Sequence, residues 1–92
     1  LVPFWWQKFL KDPIFKSSLK ARWQELRVSS LSTNNVIGLV ENTSQYLINN
    51  GAIERNYNKW SGIPVDYPMA VNDLKTYLND RLSWMDIKIG EF

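Results

Sequence analysis

Apolar residues recur along most of the chain at intervals of three or four, the spacing that places side chains on one face of an α-helix. The stripe is longest near the C-terminus, where it runs through Val71, Leu74, Leu78, Leu82, Met85 and Ile89. Pro68 stands at the start of this stretch, and proline suits the first turn of a helix. We therefore predict a helix over residues 68–89.

Two shorter helices are predicted at the other end of the chain, over residues 4–11 and 13–28. The first ends at Asp12-Pro13 because the residue before a proline avoids helical dihedral angles. Asp12 is then a suitable N-cap for the second helix, with Pro13 in its first turn. The apolar stripe of the second helix is Phe15, Leu19, Trp23 and Leu26.

A long third segment is predicted over residues 33–60, with Ser32 as its N-cap. Its apolar face carries Val36, Val40, Thr43 and Leu47, and polar residues gather on the opposite side. The sequence Asn49-Asn50-Gly51 is typical of a helix end. Because Ile53, Tyr57 and Trp60 continue the apolar spacing beyond it, we predict a kink or brief break near Gly51.

These segments predict an all-α fold, a small bundle of about four helices. Residues 61–68 have turn chemistry and are predicted to form the main loop. The 92 residues contain 45% hydrophobic and 22% charged residues, which is the composition of an ordinary globular domain. A chain this short supports one core, so residues 1–92 are treated as a single domain.

Composition argues against several classes of function. The chain has neither His nor Cys, so it lacks the usual general base, thiolate chemistry and the commonest zinc ligands. Its net charge is only +2, with no basic block or basic recognition helix for nucleic acid. No apolar run approaches the roughly 20 residues of a membrane span, and the N-terminus lacks signal-peptide features.

Several short motifs occur in an order that resembles a known family. They are Phe4, Trp5, Phe9, Leu10, Asp12, Pro13 and Phe15; then Leu19, Arg22, Trp23, Glu25, Leu26 and Arg27; then Leu31 and Ser32; then Arg55, Asn56 and Trp60; and finally Tyr67, Pro68, Val71, Leu74, Lys75, Leu78, Arg81, Leu82, Trp84, Met85 and Asp86. Over about residues 4–89 the sequence resembles the C-terminal helical region of the spore coat protein H (CotH) kinase-like family.

The resemblance implies a fragment of an atypical, protein-kinase-like fold whose full-length members use ATP and a divalent metal. The nucleotide-binding Lys and the catalytic Asp residues of such proteins lie earlier in the chain, so we assign no catalytic, cofactor-binding or metal-binding residue here. None of Asp12, Asp66, Asp73, Asp80 and Asp86 matches a catalytic motif. The resemblance also implies a bacterial protein of the spore coat or cell surface, with coat or surface proteins as possible partners.

The first and last residues suggest that the chain is a piece of that larger protein. It begins with Leu1 instead of Met and ends with Glu91-Phe92, which would be either native residues or a cloning remnant. The expected partner is then the upstream catalytic core of the same parent chain.

Six charged residues are candidates for a structural or functional cluster: Arg22, Glu25, Arg27, Arg55, Arg81 and Asp86. Arginine binds phosphate in a bidentate fork, so a phosphate or substrate-peptide site is one interpretation. Structural ion pairs between helices are the favoured one, because a charge beside an apolar stripe is costly unless it is paired. We expect Arg81 or Arg22 to pair with Glu25 or Asp86. For Arg81 in particular, we expect a side chain that is at least half buried and paired with Glu25 first or Asp86 second.

Aromatic residues and lysines offer further alternatives. Five tryptophans could stack on sugars or bases, but Trp23 and Trp60 lie on apolar stripes and are expected in the core. Packing or docking against the rest of the parent is expected for Trp5, Trp6 and Trp84. Lysines at 8, 11, 16 and 20 could touch an anionic membrane, although a solvated helix face is favoured. The carboxylates are too scattered to predict a metal site.

The favoured function is therefore a non-catalytic helical subdomain that packs against the catalytic core of a CotH-like kinase or pseudokinase. The alternative is an autonomous protein-interaction module of a bacterial cell-surface protein. The two functions predict different surfaces on this chain. A subdomain separated from its core should expose a contiguous apolar patch of more than a few hundred Å².

Overall fold

A computed structural model describes residues 2–60 and 66–92, and these residues form five α-helices and no strand. The helices are α1 (Phe4–Phe9), α2 (Pro13–Arg27), α3 (Thr33–Asn49), α4 (Ala52–Lys59) and α5 (Tyr67–Gly90). The predicted all-α class is confirmed, and the predicted long third segment is two helices, α3 and α4. Most of the predicted loop, residues 61–65, lies outside the described residues.

Three of the helices begin with a side-chain cap, and two of these caps, Asp12 and Ser32, are the predicted ones. Asp12 Oδ1 accepts hydrogen bonds from the backbone amides of Ile14 at 2.8 Å and Phe15 at 3.4 Å. Ser32 Oγ caps α3 and Asp66 Oδ1 caps α5 in the same way. These bonds satisfy amides that have no partner within their own helix.

Gly51 separates α3 from α4 by adopting a left-handed backbone conformation, with φ of 69°. Glycine takes this conformation without the steric cost that a Cβ would add. Arg55 supports the turn, because its Nη1 donates to the backbone oxygen of Asn50 at 2.6 Å. The break predicted near Gly51 is therefore a complete change of helix.

Helix α5 is the central element, and it packs against α2 on one side and α3 on another. Its half-buried or buried stripe consists of Val71, Leu78, Leu82, Met85 and Ile89. The facing elements contribute half-buried residues at Leu19, Trp23 and Leu26 of α2 and at Val36, Ile37 and Val40 of α3. Helix α4 packs only on α3 among the helix pairs with extensive contact.

The fold does not close over its apolar side chains. Leu82, with 8% of its surface exposed, is the one buried residue in the described part of the chain. The molecule measures 53 × 30 × 18 Å with a radius of gyration of 18.2 Å, whereas a compact chain of this length has about 12 Å. Its accessible surface is 7469 Å², against roughly 5,500 Å² for a compact protein of this mass.

Candidate functional site

The most connected side chain in the described structure is Arg27, near the end of α2. Its Nε donates to Asp86 Oδ1 at 2.9 Å and its Nη2 to Asp86 Oδ2 at 3.0 Å. Nη1 also donates to the backbone oxygen of Leu31 at 2.7 Å, and Nη2 to Thr33 Oγ1 at 2.9 Å. One guanidinium therefore joins α2, the turn after it, the start of α3 and the last part of α5.

The carboxylate of Asp86 receives a further bond from Trp23, whose indole Nε1 donates to Oδ1 at 2.8 Å. The hydrogen bond from Arg27 is the main cause that lowers the pKa of Asp86 below its ordinary value, with the Trp23 bond acting in the same direction and partial burial opposing it. Asp86 is therefore held in its charged form. Its role is to anchor α5 to α2.

The structure contains the Arg22–Glu25 pair that the sequence allows, but it gives Asp86 a different partner from those expected. Asp86 pairs with Arg27, while Arg22 pairs with Glu25 at 3.0 Å along the exposed side of α2. The sequence does contain a signal for the Arg27 pair. Arg27 follows Trp23 by four residues, so both side chains share one face of α2 and can reach the same group on α5.

The expectation for Arg81 is corrected. Arg81 is exposed, and its Cζ lies 4.4 Å from the centre of the Trp84 ring. It forms no ion pair within the described residues, because Glu25 is engaged by Arg22 and Asp86 by Arg27. Arg81 lies beside the half-buried stripe of α5 but outside it, so a cation–π contact with its own helix takes the place of an interhelical pair.

The tryptophans divide into one that packs inside and four that remain accessible. Trp23 is half-buried between α2 and α5, as expected for a core position. Trp60, which was also expected in the core, is 58% exposed. Trp60 is the C-cap residue of α4. Helix α4 packs mainly on α3, and no described helix covers its C-terminal end. Trp5, Trp6 and Trp84 are each about half exposed.

A groove between α1 and α2 collects much of the exposed aromatic surface. Its volume is about 380 Å³, and its lining is entirely apolar: Trp5, Trp6, Phe9, Leu10, Phe15 and Leu19. Ring packing shapes the walls. Phe9 meets Trp5 edge-on at a centroid distance of 5.9 Å. The centroids of Phe9 and Phe15 are 5.2 Å apart. We call this feature the aromatic groove.

A second surface with exposed apolar side chains lies along α5, outside the stripe that packs on α2 and α3, and it also carries the charged residues Asp73, Asp80 and Arg81. Leu74, Tyr77, Trp84 and Ile87 are all exposed there, by about half of their surface or more. Tyr77 and Trp84 are one heptad apart and therefore lie on the same side of the helix. We call this surface the outer face of α5. A helix that is apolar on more than one side is typical of the interior of a larger assembly.

The cofactors implied by the family resemblance do not fit the described residues. A shallow polar groove of about 400 Å³ between α3 and α5 contains Lys75, but Lys75 is ion-paired with Glu41, the one carboxylate that lines it. A site for ATP and its metal needs a phosphate-cradling loop and converging carboxylates. No group of three acidic side chains able to hold a metal occurs in residues 2–60 and 66–92.

Among the described helices, none combines the length and the apolar character needed to cross a membrane.

Comparison with known proteins identifies a family for this chain. No curated protein and no solved structure is significantly similar to this sequence. The family described as CotH kinase protein matches residues 2–85. These residues include the two capping aspartates, Arg27, the aromatic groove and most of α5, and the match ends one residue before Asp86. The match covers nearly the whole chain, so this protein belongs to the CotH kinase protein family.

Proposed function

We propose that this chain is a non-catalytic helical subdomain of a CotH-like atypical kinase or pseudokinase, and that it packs against the catalytic core of its parent. The observation that carries the proposal is the amount of uncovered apolar surface. Its accessible area of 7469 Å² exceeds that of a compact protein of equal mass by roughly 2,000 Å². This area includes polar surface, and its apolar part comes from many exposed large side chains, among them Trp60, Tyr77 and Ile87. So many water-exposed apolar side chains are unfavourable, and a partner surface is expected to cover them.

The outer face of α5 is the proposed contact with that core. Helix α5 already packs against α2 and α3 on its inner stripe, so covering its outer face would make it the central helix of a larger unit. Tyr77 and Trp84 supply large amphipathic rings of the kind enriched at interfaces. Arg81, stacked on Trp84 with its guanidinium exposed, remains available to a carboxylate or carbonyl of the core.

The non-catalytic part of the proposal rests on the chemistry of the residues present. The sequence has no His and no Cys. The charged groups that are best positioned, Arg27, Asp86, Lys75 and Glu41, are engaged with each other. Their arrangement favours holding helices together over moving a proton or a phosphoryl group. By the same proposal the parent acts in the spore coat or at the bacterial cell surface.

Cysteine accessibility tests the docking face, since the chain has no native cysteine. Tyr77→Cys places a thiol on the outer face of α5, and Asn58→Cys places one on the exposed side of α4 as a matched control. We expect Tyr77→Cys to react at least about tenfold more slowly with a maleimide in the full-length protein than in the chain alone, because a covered site reacts only through opening. Asn58→Cys should react equally in both.

Equal reactivity of Tyr77→Cys in the two settings would rule out this contact with the core. Slower reaction of both cysteines would indicate general compaction of the chain instead of a specific docking face.

A further inference from the structure

The aromatic groove is a concave apolar surface made by the first two helices. The turn after α1 reverses the chain, and Asp12 fixes the start of α2 by capping it. Phe9 then stacks with Phe15 across the turn, which places the face of α1 bearing Trp5, Trp6 and Leu10 beside Phe15 and Leu19. The walls of the groove thus come from two helices that are held by local interactions.

The segment that builds the groove is strongly basic. Residues 2–25 contain five of the eleven cations of the chain, at Lys8, Lys11, Lys16, Lys20 and Arg22, but two of its nine carboxylates, Asp12 and Glu25. Arg22 is paired with Glu25, so the excess positive charge comes from the four lysines. Asp12 is occupied with backbone amides of α2. None of the four lysines forms an ion pair within the described residues. Lys8 and Lys16 lie over the rings of Phe4 and Phe92, at 5.8 and 5.7 Å from the ring centres. All four lysines belong to the segment that forms the two helices of the groove, and a charge is felt over about 8 Å at physiological salt, so this segment favours an occupant with negative charge.

The lining of the groove restricts the class of occupant. Specific sites for small molecules and sugars contain a few polar groups that orient the ligand, and none of the six lining side chains except the two indoles carries a polar atom. A membrane surface is met by a convex apolar face that inserts among the lipids. A concave groove would leave its floor uncovered there, so protruding side chains of a polypeptide fit it better.

We propose that the aromatic groove is a docking site for a polypeptide segment of a separate partner protein, one whose bulky apolar side chains are flanked by carboxylates. The apolar side chains fill the space between Trp6, Phe9 and Phe15, and the carboxylates face the lysines of α1 and α2. This interface is distinct from the outer face of α5, and it stands whether or not that face contacts a catalytic core.

Two synthetic peptides of equal apolar content test the charge requirement without altering the protein. Both are amphipathic helices with leucine and phenylalanine on one face, and they carry either glutamates or lysines at the flanks. Fluorescence anisotropy with the full chain should show that the glutamate peptide binds at least about tenfold more tightly, the effect of several complementary charges. The preference should shrink as salt is raised.

Variants then locate the binding. Lys11→Glu combined with Lys20→Glu should weaken the glutamate peptide about fivefold to tenfold, whereas Lys59→Glu on α4 is the matched control and should have no effect. Trp6→Ala removes part of the groove wall and should weaken both peptides. Equal affinity for the two peptides, no binding of either, or loss of affinity on Lys59→Glu alone would overturn the proposal.

Two further outcomes identify other occupants. Binding to vesicles of phosphatidylcholine and phosphatidylserine that is lost in Trp6→Ala, without binding of the glutamate peptide, would assign the groove to a membrane surface and overturn the proposal. Self-association that is abolished by Trp6→Ala and prevents peptide binding would assign it to a second copy of this chain, with the same consequence.

Discussion

Arg27 and Asp86 form a two-point contact between α2 and α5, with donor–acceptor distances of 2.9 and 3.0 Å. The side chain of Arg27 is 16% exposed and that of Asp86 is 42% exposed, so the pair is only partly shielded from water. Its strength comes mainly from the additional bonds that the same guanidinium makes to Leu31 and Thr33.

Replacing Arg27 with Ala should therefore lower the free energy of unfolding by about 1–3 kcal/mol, because several hydrogen bonds are lost at once and Asp86 can only partly regain water. Arg22→Ala is the matched control. Arg22 and its partner Glu25 are 62% and 66% exposed, and such pairs contribute about 0.5 kcal/mol or less. Urea denaturation of both variants measures the difference, and equal losses would contradict the anchoring role of Arg27.

Arg81→Ala should have a small effect on stability, up to about 1 kcal/mol, because an exposed cation–π contact is all that it removes. The double variant with Glu25→Ala should show additive losses, since the two side chains share no contact in the described structure. Urea titration of the single and double variants provides the measurement. A coupling energy above about 1 kcal/mol would restore the ion pair that the sequence predicted.

The stability of the chain should depend on the ionisation of Asp86 in acid. The Arg27 bond lowers the pKa of Asp86 in the folded state, so the folded state binds its proton less readily than the unfolded state does. The contribution is complete above the ordinary aspartate pKa of about 4, and it is lost as pH falls below that value through the folded-state pKa. Urea denaturation measured from about pH 6 to about pH 2 should reveal a smaller acid-dependent loss of unfolding free energy in Asp86→Asn than in the unmodified chain.

Two glycines provide a matched test of backbone conformation. Gly51→Ala should destabilise the chain by about 1–2 kcal/mol, because its φ of 69° is unfavourable for any residue with a Cβ. Gly38→Ala should be neutral or stabilising by up to about 1 kcal/mol, because Gly38 lies inside α3 and a Cβ there would meet no atom within 4 Å. Thermal unfolding followed by circular dichroism distinguishes the two, and a stabilising Gly51→Ala would mean that α3 and α4 can join into one helix.

The isolated chain should neither bind MgATP appreciably nor transfer phosphate, since its described residues lack a phosphate-cradling loop with converging carboxylates. Isothermal titration calorimetry is the direct measurement. Binding in the micromolar range would show that this part of the protein takes part in nucleotide recognition.

The helices could be predicted from the sequence because their signals are local. Asp12, Ser32 and Asp66 are followed by the backbone amides they cap, and Gly51 follows two asparagines at the end of an apolar stripe. The partners of charged residues could not be predicted in the same way. Whether Asp86 meets Arg22 or Arg27 depends on how α2 and α5 are rotated against each other, and a shift of one helical position changes the answer.

The exposure of Trp60 illustrates a second limit. Its apolar spacing with Ile53 and Tyr57 is real, and Ile53 is half-buried as that spacing predicts. Periodicity identifies the side of a helix that seeks a partner, but it does not say whether the partner is within the same chain. The same ambiguity applies to Tyr77 and Trp84 on α5.

The anchor between α2 and α5 joins residues that are far apart in sequence. Asp86 is 59 residues from Arg27 and 63 from Trp23. Closing so long a loop is slow, because the chain loses conformational entropy before the stabilising contact has formed. During synthesis, α2 must therefore wait for nearly the whole of α5 before it gains its partner. In that interval Trp23 is open to aggregation, and a chaperone would be the means of protection.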